Sequence, residues 1–181
     1  MRVISGSAKG RRLQEPADYK VRPTTDKVKE SIFNIIQFDI EGRKVLDLFA
    51  GSGQLGIEAL SRGAAYCTFV DKAPDSLKLV RNNIKTTGFG DRAKVVAGDS
   101  IGYLAGGEKF DLIFLDPPYD TDLLEKALEY VKKFDILKEN GIMVCESQRE
   151  KALPELTEPY YLLKEYNYGK IKITTFSRKA D

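Results

Sequence analysis

Histidine is absent from this chain of 181 residues. Its absence removes every nucleophile system built on an imidazole base, and with it the commonest transition-metal ligand. Cysteine is scarce: Cys67 and Cys145 both sit inside apolar, strand-like runs and match no metal or redox spacing. They read as two buried, reduced thiols of a cytosolic protein. No run approaches the length that spans a bilayer, and the N-terminus lacks the apolar stretch of a secretion signal. A cytoplasmic protein without a membrane partner is the expectation.

What is present belongs to an ordinary globular chain, with 42% hydrophobic and 31% charged residues. The length fits one domain with a small appendage. The net charge is only +2, but it is unevenly spread. Residues 1–29 carry eight Lys/Arg against three Asp/Glu, and the rest carries 21 against 24. A basic arm on a slightly acidic body suits contact with a polyanion, and equally suits a solvated tail.

Arg2-Val3-Ile4-Ser5 and Arg11-Arg12-Leu13-Gln14 read as two short strands around a turn from Gly6 to Gly10. Pro16 and Pro23 bracket an irregular stretch. From Thr24 the pattern turns helical, with Val28, Ile32, Ile35 and Ile36 on one face and Thr24 or Thr25 as the cap. After Gly42 strand and helix alternate. Strand-like runs cover 44–49, 66–70, 94–97, 110–115 and 141–145, with helical candidates at 54–62, 74–87, 99–105 and 121–133. Leu77, Val80, Arg81 and Ile84 form the expected buried edge of the helix over 74–87, with Gly88 as its stop. The strands are near-continuously apolar, as when helices cover both faces. This alternation predicts an α/β, doubly wound, mostly parallel sheet with right-handed crossovers. Tyr160 to Tyr168 and Ile171 to Phe176, around Gly169, predict a terminal antiparallel hairpin.

Gly51, Gly53 and Gly56 spell G-x-G-x-x-G between a strand and a helix. Glycines there let backbone approach a ligand and let the helix start tight against the sheet. Dinucleotide enzymes share the spacing. Two details lean away from a pyrophosphate: Asp47 late in the strand suits a cation such as an ammonium, and no Lys with Ser/Thr follows to hold phosphate. Asp71 ends the next strand at the distance where an acid bonds ribose hydroxyls; it also reads as a helix N-terminal acid. Asp99, after the third strand, fits an adenine amine or a plain N-cap.

Asp116-Pro117-Pro118-Tyr119 follows the run Phe110 to Leu115 directly. An exocyclic amine on a base is a poor nucleophile because its lone pair is delocalised into the ring. Asp116 can accept a hydrogen bond from such an amine and help take its proton. The prolines fix the turn and lack N–H groups, and Tyr119 can stack on a base swung out of its helix. The bland alternative is a stiff strand-to-helix turn with Asp116 as its cap. The glycine loop upstream favours amino-group chemistry.

These motifs, with Arg22-Pro23-Thr24-Thr25-Asp26-Lys27-Val28-Lys29-Glu30-Ser31-Ile32-Phe33-Asn34, Gly10-Arg11-Arg12-Leu13 and Asn82-Asn83, resemble one family along the whole chain. It is the bacterial 16S rRNA (guanine-966 N2)-methyltransferases. The Asp-Pro-Pro-Tyr motif is shared with DNA adenine and other amino methyltransferases; the Arg-Pro-Thr-Thr-Asp segment narrows the resemblance. It implies a Rossmann-like class I fold with a seven-stranded, mostly parallel sheet over residues 23–181, and a basic RNA-contacting hairpin arm over 1–22. S-adenosylmethionine would be the methyl donor, leaving S-adenosylhomocysteine, with no metal. Asp116, Pro117, Pro118 and Tyr119 would form the acceptor site. Asp47, Phe49, Gly51, Gly53, Asp71, Lys72, Asp99 and Ser100 would line the donor site. Arg11, Arg12 and Arg22 would reach phosphates of the small ribosomal subunit or its assembly intermediate, from a monomer. One departure is visible: Asp71 stands where many members carry Glu, a reach shorter by one methylene. The rivals are an adenine-N6 methyltransferase on rRNA or DNA, a nicotinamide oxidoreductase, and a non-catalytic RNA-binding assembly factor.

Overall fold

The computed structural model describes residues 1–17 and 24–181. Arg22, one of the expected phosphate contacts, and Pro23 lie outside the described residues. In chain order the elements are α1 (Asp26–Ile35), β1 (Lys44–Asp47), α2 (Gln54–Ser61), β2 (Tyr66–Asp71), α3 (Pro74–Thr87), β3 (Ala93–Ala97), α4 (Ser100–Leu104), β4 (Phe110–Leu115), α5 (Leu123–Phe134), β5 (Leu137–Gln148), β6 (Tyr160–Tyr168) and β7 (Ile171–Arg178). The strands form one sheet in the order β3-β2-β1-β4-β5-β7-β6. The first five run parallel, and β7 lies antiparallel between β5 and β6. Among the described residues no helix is long and apolar enough to cross a membrane.

The apolar strands bury both faces because alternate side chains enter different cores. Val45, Cys67, Phe69, Leu112 and Phe114 pack with α1, α2, α3 and the N-terminal segment. Leu46, Val70, Ile113 and Leu115 pack with α4 and α5 on the other side. Fully burying each such side chain contributes roughly 2 kcal/mol. The edge strand β3 departs from this pattern: Lys94 and Ala97 are exposed and its valines half-covered, since among the described residues no strand pairs with its outer side. Strand β5 is longer than its apolar run implies. It begins at Leu137 and passes through Asn140 at φ +59° before its register with β4 resumes.

At the N-terminus the two expected strands are shorter than their residue pattern: extended segments joined by a single antiparallel bridge, Arg2 to Arg12. They are bound firmly to the body. Val3, Ala8 and Leu13 are buried in the core they share with α1 and α2. The Ile4 and Ser5 N–H groups donate to Glu58 on α2, at 2.7 and 3.2 Å. Lys29 of α1 is fully buried and donates to the Arg2 carbonyl at 2.7 Å. One of the basic residues counted in the arm is therefore spent inside, and burial pulls its ammonium pKa down. Along α3 the buried edge is Leu77, Val80, Asn83 and Ile84. Arg81, expected there, is exposed. Asn83 replaces it because its amide clamps three segments: it accepts from Gln14 N at 2.7 Å and donates to Gln14 O and Ser52 O.

Gly6 is where the hairpin meets α2. Its φ is +88°, and a Cβ there would stand 1.8 Å from the Ser61 carbonyl oxygen. Gly10, at φ +83°, has open space around it. Gly6→Ala is expected to cost at least about 3 kcal/mol in denaturant unfolding, from a backbone clash added to strain. Gly10→Ala should cost about 1 kcal/mol from strain alone. Equal losses would show that Gly6 does not carry the docking.

Candidate active site

The parallel strands end at one edge of the sheet, and each brings a carboxylate there. Asp71 closes β2, Asp47 closes β1, Asp99 lies two residues beyond β3, and Asp116 follows β4 directly. The register pairs Leu115 with Cys145, which sets Glu146 of β5 beside Asp116. The order in space is thus Asp99, Asp71, Asp47, Asp116, Glu146. Between β1 and β4 the strand order reverses direction, the position where open α/β sheets leave a crevice for ligands. Asp47 and Asp116 flank it.

The three glycines of the loop do different work. A Cβ on Gly56 would meet Phe69 at 2.3 Å, and one on Gly53 would meet Val80 at 2.6 Å, so both serve the packing of α2 on the sheet and α3. Gly51 faces open space. It is the one position of the three where a ligand can approach. Gly51 N donates to Asp71 Oδ2 at 2.9 Å, while Ala73 N donates to Oδ1 at 3.0 Å. Asp71 therefore holds the loop and the start of α3 together, and remains partly exposed.

Asp47 is buried and, among the described residues, accepts one hydrogen bond, from Gly56 N at 3.0 Å in the first turn of α2. Burial pushes its carboxyl up to about 7; the Gly56 N–H opposes the shift and the Asp71 charge adds to it. An acid occupying this helix start repels a pyrophosphate where dinucleotide enzymes bind one. Asp99 caps α4, accepting from Gly102 N at 2.7 Å, and stays exposed. The Ser100 hydroxyl donates to Leu48 O at 2.7 Å, which ties α4 to the end of β1. Phe49 is half-buried, and Lys72 is exposed on the link to α3.

At the Asp-Pro-Pro-Tyr turn Pro117 is buried, Pro118 exposed, and the Pro118 carbonyl accepts from the Thr121 hydroxyl at 2.8 Å. Thr24, immediately before α1, reaches this turn. Its hydroxyl lies 2.9 Å from Asp116 Oδ2 and 2.9 Å from Glu146 Oε2. Tyr119 donates to Glu146 Oε1 at 2.9 Å. Thr25, not Thr24, caps α1, accepting from Val28 N at 3.3 Å. Loss of hydration pushes the Asp116 carboxyl well above the ordinary carboxylate range; the Glu146 charge adds to this and the Thr24 hydroxyl opposes it. A cavity of about 10 Å³, room for roughly one water, lies between this turn and β5, lined by Pro117, Tyr119, Glu146, Ser147 and Lys151. Thr24 belongs to the Arg-Pro-Thr-Thr-Asp segment, where it reads as a cap and not as part of the site; Glu146 carries no motif signal, and the register of β4 with β5 brings it in. Among the described residues no group of three His, Cys, Asp or Glu is arranged to hold a metal.

Arg11 and Arg12 are exposed on the hairpin and make no ion pair among the described residues. The hairpin's second strand is fixed beside the glycine loop through Asn83.

The family model described as Conserved hypothetical protein 95 matches residues 1–177. The chain is 43% identical over 184 residues to the YlbH protein of Bacillus subtilis (strain 168), across 99% of this chain and 100% of that protein. It is 34% identical over 181 residues to a protein of Escherichia coli (strain K12) named Ribosomal RNA small subunit methyltransferase D, across 99% of this chain and 91% of that one. The solved structure of the yhhF protein from Escherichia coli has a TM-score of 0.91 at 32% identity, covering 100% of this chain and 99% of that chain. The architecture is the Rossmann-like class I methyltransferase fold.

The Asp47 carboxyl binds its proton more tightly in the folded than in the unfolded chain. The folded state gains from that proton at low pH and loses stability as pH rises from the ordinary carboxylate range through about 7. Asp47→Asn keeps an acceptor for Gly56 N and removes the titration. The variant should gain up to about 4 kcal/mol over the wild type between pH 4 and pH 8. Parallel stability–pH curves would show that Asp47 ionises without cost.

Proposed function

The chain belongs to the Conserved hypothetical protein 95 family, and we propose that it transfers a methyl group from S-adenosylmethionine to the N2 amine of a guanine in small-subunit rRNA. The observation that carries this reading is the pair of carboxyls, buried Asp47 and half-buried Asp116, both with raised proton affinity, on adjacent strand ends either side of the crevice. The rRNA substrate rests on the relatives named for rRNA, one of them for the small subunit.

The residues fit the donor on three counts. Asp47 is a buried acid with a single hydrogen bond among the described residues and suits an ammonium. Gly51 leaves open space for a ligand beside the Asp71 carboxylate. Gln54 Oε1, at the start of α2, is buried with no hydrogen-bond partner among the described residues. Asp47, Phe49, Gly51, Gly53, Asp71, Lys72, Asp99 and Ser100 would form this subsite. Bound there, S-adenosylmethionine supplies an electrophilic methyl on a sulfonium, which needs no metal. On the acceptor side Asp116 orients the amine and takes its proton, and its raised proton affinity makes its ionised form a stronger base. Pro117 and Pro118 hold the turn stiff, and Tyr119 offers a ring to the flipped base. Arg11, Arg12 and Arg22 meet phosphates from the arm formed by residues 1–22, while residues 23–181 carry the chemistry. The protein works as a cytoplasmic monomer on the subunit or its assembly intermediate. A pyrophosphate cofactor is disfavoured by Asp47 on the first turn of α2.

Labelled methyl transfer to small subunits lacking their native modifications, followed by nucleoside analysis, tests the reading. The expected product is N2-methylguanosine. Label in N6-methyladenosine would keep the mechanism and overturn the target; no label with donor bound would favour a non-catalytic assembly factor.

Asp116→Ala should lower the single-turnover rate about 100- to 10,000-fold with donor affinity nearly intact; equal losses of both would remove Asp116 from the acceptor site. Replacing Arg11 and Arg12 together with Ala should flatten the salt dependence of subunit binding by about one unit of slope per lost phosphate contact. An unchanged slope would make the arm structural only.

A further inference from the structure

The hydrogen bonds around Thr24 do not close without an additional proton. A threonine hydroxyl has one hydrogen to donate. Thr24 Oγ1 stands 2.9 Å from Asp116 Oδ2 and 2.9 Å from Glu146 Oε2, so both carboxylates ionised would leave one contact without a hydrogen. The geometry also says where that proton rests. Glu146 accepts from Tyr119 as well as from Thr24, whereas Asp116 meets only Thr24 and Glu146 itself among the described residues, and a contact between two carboxyls itself needs a proton. The negative charge is better solvated on Glu146, and the proton rests on Asp116.

We propose that Glu146, acting through the Thr24 hydroxyl, is the positioning residue that makes Asp116 a proton acceptor for the amine. This inference rests on the methyl-transfer reading above. Asp116 gives its proton to Thr24 Oγ1 as Thr24 passes its own to Glu146 Oε2, and Asp116 is left ionised toward the crevice. When the N–C bond forms and the S–C bond breaks, the amine N–H bond breaks and its proton goes to Asp116. The pair then holds two protons, and one leaves to solvent. The charged and titratable groups around this pair are Asp47 from β1, Tyr119 on the shared turn, and Lys151, which lines the cavity beside Glu146. Lys151 is engaged by Glu125 and the Thr121 carbonyl, at 2.8 and 2.9 Å, and so leaves the Glu146 charge to Thr24 and Tyr119.

The test is the pH dependence of single-turnover methyl transfer in three variants. Glu146→Gln removes the neighbouring anion and should move the ascending limb to lower pH by about one unit or more. Thr24→Val removes the hydroxyl and should move the limb to higher pH; Thr24→Ser should restore it. Rate losses with no movement of the limb would mean that Glu146 only fills space, and would overturn the inference. Should Glu146→Gln fail to fold, as judged by thermal unfolding, the Thr24 pair of variants decides alone. A second readout needs no activity. Infrared difference spectra of the free protein at neutral pH should show a protonated-carboxyl band in the wild type that Glu146→Gln loses, with the Asp47 contribution cancelling in the subtraction. Absence of that difference overturns the shared proton, while absence of any methyl transfer by the wild type overturns the reading on which the inference rests.

Discussion

Asp47, buried, and Asp116, half-buried, stand on neighbouring strand ends, with too few donors among the described residues to hold both as anions. Burying an isolated carboxylate costs several kcal/mol unless it is paired, protonated or met by a cation. The molecule accepts this cost at one edge of its sheet, and most of its other features arrange or limit it. The Gly56 N–H steadies Asp47, Thr24 divides one hydrogen between Asp116 and Glu146, and Asp71 is held at the surface by two backbone N–H groups. On the proposed reading, a site so short of positive charge suits a cationic ligand and proton transfer from a weak nucleophile.

The N-terminal segment belongs to the same arrangement. Its first residues are pinned on α2 by Glu58 and by the buried Lys29, and its second strand is fastened beside the glycine loop by Asn83. The chain then returns to Asp116 through Thr24. The hairpin that would meet RNA is thereby fastened to the glycine-loop half of the crevice through Asn83 and to α1 through Lys29. Undocking it would disturb Ser52 through Asn83. This explains why Gly6 has no room for a side chain, and why α3 buries an asparagine where periodicity alone suggests an arginine.

Much of this was legible in the residues. The parallel strands are continuous apolar runs, and the helices between them were bounded to within a residue or two because Gly53, Pro74 and Gly88 mark their ends. Asp47, Asp71 and Asp116 are visible because strand-terminal acids beside glycine or proline turns are local signals. What escaped is long-range. Glu146 lies inside an apolar strand and acquires meaning only from its register beside Asp116. Thr24 looked like a cap, yet its hydroxyl reaches a turn 92 residues away. Arg81 and Asn83 differ by two positions on one helix face, which hydrophobic spacing does not resolve. Lys29 counted toward a basic arm and proved to be part of the core.

Calorimetric titration with S-adenosylmethionine near neutral pH, in buffers of different ionisation enthalpy, addresses the central claim most directly. If the buried Asp47 carboxyl is held for a cation, binding must drive off the proton it carries. The account predicts net proton release on binding, reduced in Asp47→Asn. Binding with no proton exchange across the neutral range, or with the same exchange in both proteins, would contradict it.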